Sequence, residues 1–362
     1  MDHGVRAATV EIPLHRDARS PGSKELGSRR HLRLSRPEAR PAREDVALGA
    51  NRADHVLAIG VQTWGTDVAA LRHYWTVADE LGYARITYGD GLGAWTHDGW
   101  TMLGALAGLT RRARIGPAVT YAFDASSHHP SWLAKRAVTV DHLSGGRLDL
   151  RLAVGAEDDA AARSWSSLGI RYPQAGARIE TLAETVEIVR GLWGAHDGFD
   201  HRGPRYALTD ARLDPKPVQR PGPPIWIAAM GPRALAVTAR HADGWEASYV
   251  TPKDFASRWQ RLSEQLSAEG RSADAFRRSV ELDAIVTVPG EALGPRLARF
   301  CADRGIVSEH PLLDTVLAGD DEAISRRIAS YEAAGATDLM LGFADFPETH
   351  MLELFAATML AR

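Results

Sequence analysis

The sequence predicts an α/β fold, a TIM-like (β/α)8 barrel with insertions behind a disordered N-terminal tail. Three observations lead there. From Val56 onward, short β-rich runs alternate with longer amphipathic stretches, the pattern of a parallel sheet crossed by helices. Eight such strand–helix units follow one another without a clear linker, which favours one closed barrel over an open sheet. The segment Val61-Gln62-Thr63-Trp64-Gly65-Thr66, after the first strand, lacks the glycine fingerprint that a doubly wound dinucleotide-binding sheet carries there.

The elements follow in order. VLAIGVQ (56–62) is a continuous apolar run, as for a strand covered on both faces. Val68, Leu71, Trp75 and Ala78 recur at helical spacing, and Gly82 closes that helix. ARITY (84–88) is the second strand, a helix spans 98–110, and ARIGPAVTY (113–121) is the third strand. Helix 130–143 ends at Ser144-Gly145-Gly146, and RLDLRLAV (147–154) puts Leu148, Leu150 and Leu152 on one face of the fourth strand. Ile179, Leu182, Val186, Val189 and Trp193 trace the fourth helix. A polar, Pro-rich excursion at 195–223 is long enough for a small hairpin. PPIWIAA (223–229) is strand five, and Gly231-Pro232 opens the next helix. Strand six is DGWEAS (243–248), helix six covers 252–269 and strand seven 280–288. A second excursion fills 290–318. Ile324, Ile328 and Tyr331 mark helix seven, ATDLMLGF (336–343) is strand eight, and 347–361 is a final amphipathic helix.

Composition excludes several classes. Among 362 residues, 43 Lys+Arg against 46 Asp+Glu give a net charge of -3, so no basic field argues for nucleic acid or an anionic membrane. No apolar run approaches the ~18 residues of a membrane helix. One cysteine, Cys301, makes no intramolecular disulfide and suits a reducing, cytoplasmic compartment. Residues 1–53 carry 11 Lys+Arg and 7 Asp+Glu with no usable apolar period, so they read as a disordered tail or a mis-started extension. Ser28-Arg29-Arg30 resembles a twin-arginine export signal, but no apolar stretch follows before Leu57. Residues 54–362 are then a single barrel domain.

In such a barrel the chemistry sits at the C-terminal ends of the strands. Neither spaced histidine ligands, nor Gly-x-Ser-x-Gly, nor a Walker loop is present, which argues against a metal hydrolase, a serine hydrolase or an NTPase. What stands at the strand ends is aromatic, with few carboxylates, and suits a planar cofactor. Met230-Gly231-Pro232-Arg233 offers a phosphate seat, because a strand ends where a helix with free N–H groups begins. Gly-Pro is also an ordinary helix start. Asp90 and Glu157 are the only acids placed directly at these ends. Either has a plain alternative, a turn for Asp90 and a favourable first-turn acid for Glu157. Trp64 and Trp95 form a stacking wall or simply pack the rim.

Several segments together resemble the bacterial luciferase-like monooxygenase superfamily. They are HHPSWLAKRAVTVDHLSGGR (128–147), LSGGRLDLRLAVGAEDD (143–159), ARIETLAETVEIVRGLW (177–193), LDPKPVQRPGPPIWIAAMGPRALAVTARHADGW (213–245) and GDDEAISRRIASYEAAGATDLMLGF (319–343). The resemblance covers everything from about Val56 onward. It implies a barrel with its isoalloxazine-type ring in the mouth, using reduced FMN with oxygen or the deazaflavin coenzyme F-420 without it. Asp90, Thr120, Tyr121 and Gly155 would then meet the ring, Trp64 and Trp95 wall it, and Met230, Gly231 and Arg233 cradle the phosphate. A non-prolyl cis peptide near Val119–Tyr121 would prop the ring. Homo-oligomers are common in the family. The chain departs from flavin-type members in having Ala156-Glu157 after the strand-four glycine. Glu157 and Trp95 match a catalytic glutamate and tryptophan of deazaflavin sugar-phosphate dehydrogenases, whose histidine is replaced here by Gly91.

The expectation is thus an FMNH2- and oxygen-dependent monooxygenase acting on an organic small molecule, fed by a separate NAD(P)H flavin reductase. Glu157, Trp95 and His129 are its catalytic candidates, His129 as a proton donor. The alternative is hydride transfer with F-420, fed by an F-420 reductase. No metal, nucleic acid or membrane is expected.

Overall fold

The computed structural model describes residues 57–123, 129–156 and 159–360, so the expected tail 1–53 lies outside the described residues. Nine parallel strands form the barrel wall. They are β1 (Ala58–Thr63), β2 (Arg85–Tyr88), β3 (Arg114–Pro117), β4 (Thr120–Tyr121), β5 (Leu150–Ala153), β8 (Ile225–Ala228), β9 (Gly244–Ser248), β10 (Arg277–Val286) and β12 (Asp338–Phe343). β1 pairs with β2 on one side and β12 on the other, which closes the ring between its first and last strands. The expected third strand is two pieces laid end to end. β3 pairs with β2 and β4 with β5, and the non-prolyl cis peptide Ala118–Val119 lies between them. An Ile115–Leu148 bridge ties β3 to the segment leading into β5. The wall therefore has eight positions, as the eight sequence units require.

The excursion at 195–223 does hold a hairpin, β6 (Phe199–Arg202) with β7 (Ala207–Ala211). The excursion at 290–318 is more ordered than expected. It carries a helix at Leu293–Arg304, a 3-10 turn at Pro311–Thr315 and a short strand β11 (Leu317–Gly319) against β10.

The helices pack their apolar stripes on the outside of the wall. α1 (Val68–Leu81) starts at Asp67, whose carboxylate accepts from Ala70 N at 3.0 Å, and stops at Gly82 with φ +91. Its Trp75 is buried and donates Nε1–H to Thr63 Oγ1 at 2.9 Å, so the indole nitrogen keeps a partner inside the core. α2 (Gly99–Leu109), α3 (Pro130–Ser144), α4 (Asp159–Ser167) and α5 (Ala175–Gly194) follow. α6 is Pro232–His241, α7 Pro252–Ala268, α8 Leu293–Arg304, α9 Asp321–Ala333 and α10 His350–Phe355.

Alternation along β5 sorts its residues as the sequence predicts: Leu148, Leu150 and Leu152 are fully buried in the apolar core. The intervening Asp149 and Arg151 are buried among charged partners of other strands. Arg85 of β2 holds Asp149 and Asp338, Arg114 also reaches Asp149, and Arg277 also reaches Asp338. Arg85 and Arg151 flank the Trp226 ring at 5.1 and 4.8 Å from its centroid. One level up, Arg151 pairs with Glu246 of β9, which also accepts from Ser279 Oγ at 3.1 Å. This polar floor supports the site.

Candidate active site

The C-terminal ends of the strands open into a cavity of ≈ 860 Å³. Its two ends differ in chemistry. At one end, α6 begins with Gly231 as its N-cap and no side-chain cap. A Cβ built at Gly231 meets nothing within 4 Å, so there is open space beside the helix start. The first turn of α5 also lacks a side-chain cap, and its Ala175 lines the same cavity. Arg233 spans the two, its Nη1 lying 3.0 Å from where a Cβ of Gly176 would be. Two uncapped helix N-termini and an exposed guanidinium make an anion seat. Met230, Gly231 and Arg233, the residues that the sequence offers as a phosphate seat, all line the cavity.

The other end is aromatic. Trp64, Trp95 and Tyr121 line it, with Gln62, Ala118 and Val119. The run Gly89-Asp90-Gly91-Leu92-Gly93-Ala94-Trp95 explains the Trp95 position. A Cβ at Gly89 would lie 2.5 Å from the indole and one at Gly91 2.8 Å, while one at Gly93 would collide with it outright. The loop folds back under its own tryptophan because these three residues have no side chains. Trp64 packs on Phe346 with centroids 5.3 Å apart. Gly155, at φ +79, carries the chain past Tyr172, whose hydroxyl leaves no room for a Cβ and donates to Ala156 O at 2.6 Å. Arg178 clamps the same turn through Val154 O and Ala156 O, at 2.7 and 2.9 Å.

Three candidates stand elsewhere. Asp90 and Thr120 are buried beside the cavity, outside its lining: Thr120 Oγ1 donates to Asp90 Oδ2 at 2.5 Å and accepts from Trp100 Nε1 at 3.1 Å. His129 is the N-cap of α3, its Nδ1 accepting from Ser131 N at 3.2 Å, with its ring against Tyr206. It too is outside the cavity lining. Glu157 lies outside the described residues.

One expectation is corrected. Asp90 and Glu157 are not the only acids at this face, because Glu246 and Glu281 line the cavity and Asp283 stands beside it. Glu281 accepts from Gln62 Nε2 at 2.7 Å across the mouth. Burial raises the Glu246 carboxyl above its usual range, against the opposing pull of Arg151. Burial also raises Asp283 to about 6, with Arg304 opposing and Glu281 reinforcing the shift. Burial raises Tyr121 and Tyr249 as well, so both phenols stay protonated. The missed signal is the alternation Ser279-Val-Glu281-Leu-Asp283-Ala, where every second residue of a long strand is polar. Among the described residues, no group of three or more His, Cys, Asp or Glu is placed to hold a metal ion. Nor is any described helix long and apolar enough to cross a membrane.

An anion seat and an aromatic lining in one barrel mouth fit a phosphorylated, ring-bearing cofactor, and the family match that follows defines the class, an oxidoreductase. The model of the luciferase-like monooxygenase family matches residues 46–338, and the chain belongs to that family. A phthiodiolone/phenolphthiodiolone dimycocerosates ketoreductase of Mycobacterium tuberculosis is 34% identical over 178 residues, 48% of this chain and 44% of the relative. The chain thus spans less than half the length of that ketoreductase. An F-420-dependent glucose-6-phosphate dehydrogenase of Microbacterium testaceum is 31% identical over 253 residues, 67% of this chain and 71% of the relative. The solved structure of an F-420-dependent secondary alcohol dehydrogenase with an F-420–acetone adduct superposes with a TM-score of 0.73 at 16% identity. It covers 84% of this chain and 98% of its own, a likeness of fold.

Proposed function

We propose that the chain is a coenzyme F-420-dependent reductase or dehydrogenase, moving a hydride between the deazaflavin and a carbon that carries a hydroxyl or carbonyl oxygen. This departs from the FMN monooxygenase that motif reading placed first. The observation that carries the choice is the 31% identity to an F-420-dependent dehydrogenase over 71% of that relative. The cavity fits the group: the open space before Gly231 and the bare first turns of α5 and α6 accept a phosphate, and the Trp64–Trp95 end accepts a flat ring.

When bound, F-420 supplies a two-electron hydride carrier. The chain's residues do the rest. Gly231, Arg233 and Ala175 anchor the phosphate, so binding energy far from the reacting carbon fixes ring position. Trp64 and Trp95 exclude water from the ring. Gln62 holds the Glu281 carboxylate to one side of the mouth. Glu157, just beyond β5, is proposed to exchange the proton with the substrate oxygen. A separate F-420 reductase and a homo-oligomeric state belong to the same proposal.

The test is a titration of purified protein with F-420 and with FMN, each followed by absorbance. Saturable F-420 binding, and F-420-coupled turnover without oxygen uptake, is the expected result. FMN binding with oxygen consumption and no affinity for F-420 would return the chain to monooxygenase chemistry.

A further inference from the structure

A second cavity of ≈ 520 Å³ adjoins the first and shares Gln62, Trp64, Trp95 and Tyr249 with it. Phe300, Phe343 and Phe346 complete an apolar, aromatic lining. Its charged groups are few. Asp283 comes from β10, and Asp303 and Arg304 from the end of α8. Arg304 is committed: it pairs with Asp283 Oδ1 and lies over the rings of Tyr249 and Phe300, 5.9 and 5.3 Å from their centroids. Asp283 is only half used. Its side chain is 2% exposed, and Oδ2 is buried with no hydrogen-bond partner among the described residues.

We propose that this second cavity is the substrate subsite, that it takes an uncharged, ring-bearing alcohol or the corresponding ketone, and that Asp283 is its specificity-determining residue, its negative charge turning anions away. The substrate class rests on the hydride-transfer reading above. The aromatic walls set the ring. The charges set the neutrality: one arginine, already paired, stands against Asp283, Asp303 and the neighbouring Glu281, so a phosphate or carboxylate entering here meets repulsion with no free cation lining the subsite.

The test uses 1-phenylethanol and mandelate, which differ in having a methyl or a carboxylate on the same carbon. Full-length protein is titrated with each, with and without F-420, and tryptophan emission from the Trp64–Trp95 wall is followed. 1-Phenylethanol is expected to bind at least ~10-fold more tightly than mandelate. Asp283→Asn is expected to tighten mandelate binding about tenfold, narrowing the gap between the probes, and to leave F-420 affinity within about twofold. Equal binding of the two probes by the unaltered protein, or binding of neither, overturns the proposal whether or not the variant folds. Undiminished discrimination in a folded Asp283→Asn protein overturns the assignment to Asp283. If the probes discriminate but F-420 does not bind, the subsite stands and the hydride-transfer reading alone falls.

Discussion

Gly91 follows Asp90 in the glycine-rich loop after β2, and its neighbourhood shows what a bare residue there permits. A side chain at 91 would occupy the space of the Trp95 indole, so the bare loop and the tryptophan's position are coupled. Gly91→His is expected to displace Trp95 and to weaken F-420 binding about tenfold, the scale of a 1–3 kcal/mol overpacking cost. Tryptophan emission and a cofactor titration check this together, and a variant unchanged in both would show that the loop simply accommodates the ring. Glu157→Gln is expected to lower F-420-coupled turnover by about 10²–10⁴-fold with cofactor affinity intact; normal turnover would remove Glu157 from the catalytic proposal. Asp283 links its chemistry to stability. Its carboxyl binds a proton more tightly folded than unfolded, so the contribution is full below the unfolded pKa of about 4 and lost as pH rises through about 6. The loss is of order 2 kcal/mol, and denaturant melts at pH 4.5 and 7 should show Asp283→Asn less pH-dependent than the parent. Trp64, Trp95, Tyr121, Gly155 and the Met230–Arg233 segment were legible in sequence because each sits at a strand end, where the fold alone locates the mouth. Glu246 and Glu281 were not, since they sit inside strands and their meaning depends on which face of each strand points inward.

At the scale of the element, α6 separates stability from function at one residue. Gly231 has φ -93 and ψ 159, an extended conformation open to any residue, and there is free space around it. Aspartate is a favoured N-cap and would stabilise the helix start over glycine by a few tenths of a kcal/mol, roughly. The same carboxylate would occupy the anion seat and repel a phosphate. Gly231→Asp should therefore raise the melting temperature slightly and weaken cofactor binding by about tenfold or more. Unchanged affinity in this variant would move the phosphate to another place. The helix and the glycine were readable from Gly231-Pro232. The convergence of α5 on the same point was not, because no sequence spacing shows that Gly176 and Arg233 meet. The break between β3 and β4 was likewise hidden within an apolar run that reads as one strand.

For the whole molecule, the order of eight strand–helix units was legible from periodicity, because helices and strands bury one face each and the spacing of apolar residues records it. Residues 1–50 lack that record. Deleting them should leave melting temperature and F-420 affinity nearly unchanged, and a fall of many degrees would show that they pack on the barrel. The charged floor has a consequence for how the chain is made. Arg85 reaches Asp149, 64 residues on, and Asp338, 253 residues on. As the chain leaves the ribosome, Arg85 can find its first partner early, but the carboxylate that closes the ring arrives only with the last strand. Until then β1 has an open edge and Arg85 and Arg277 lack their shared counter-ion. An N-terminal fragment ending before Asp338 is thus an unlatched ring, with β1 and β10 both open on the side that β12 covers, rather than a smaller version of the enzyme.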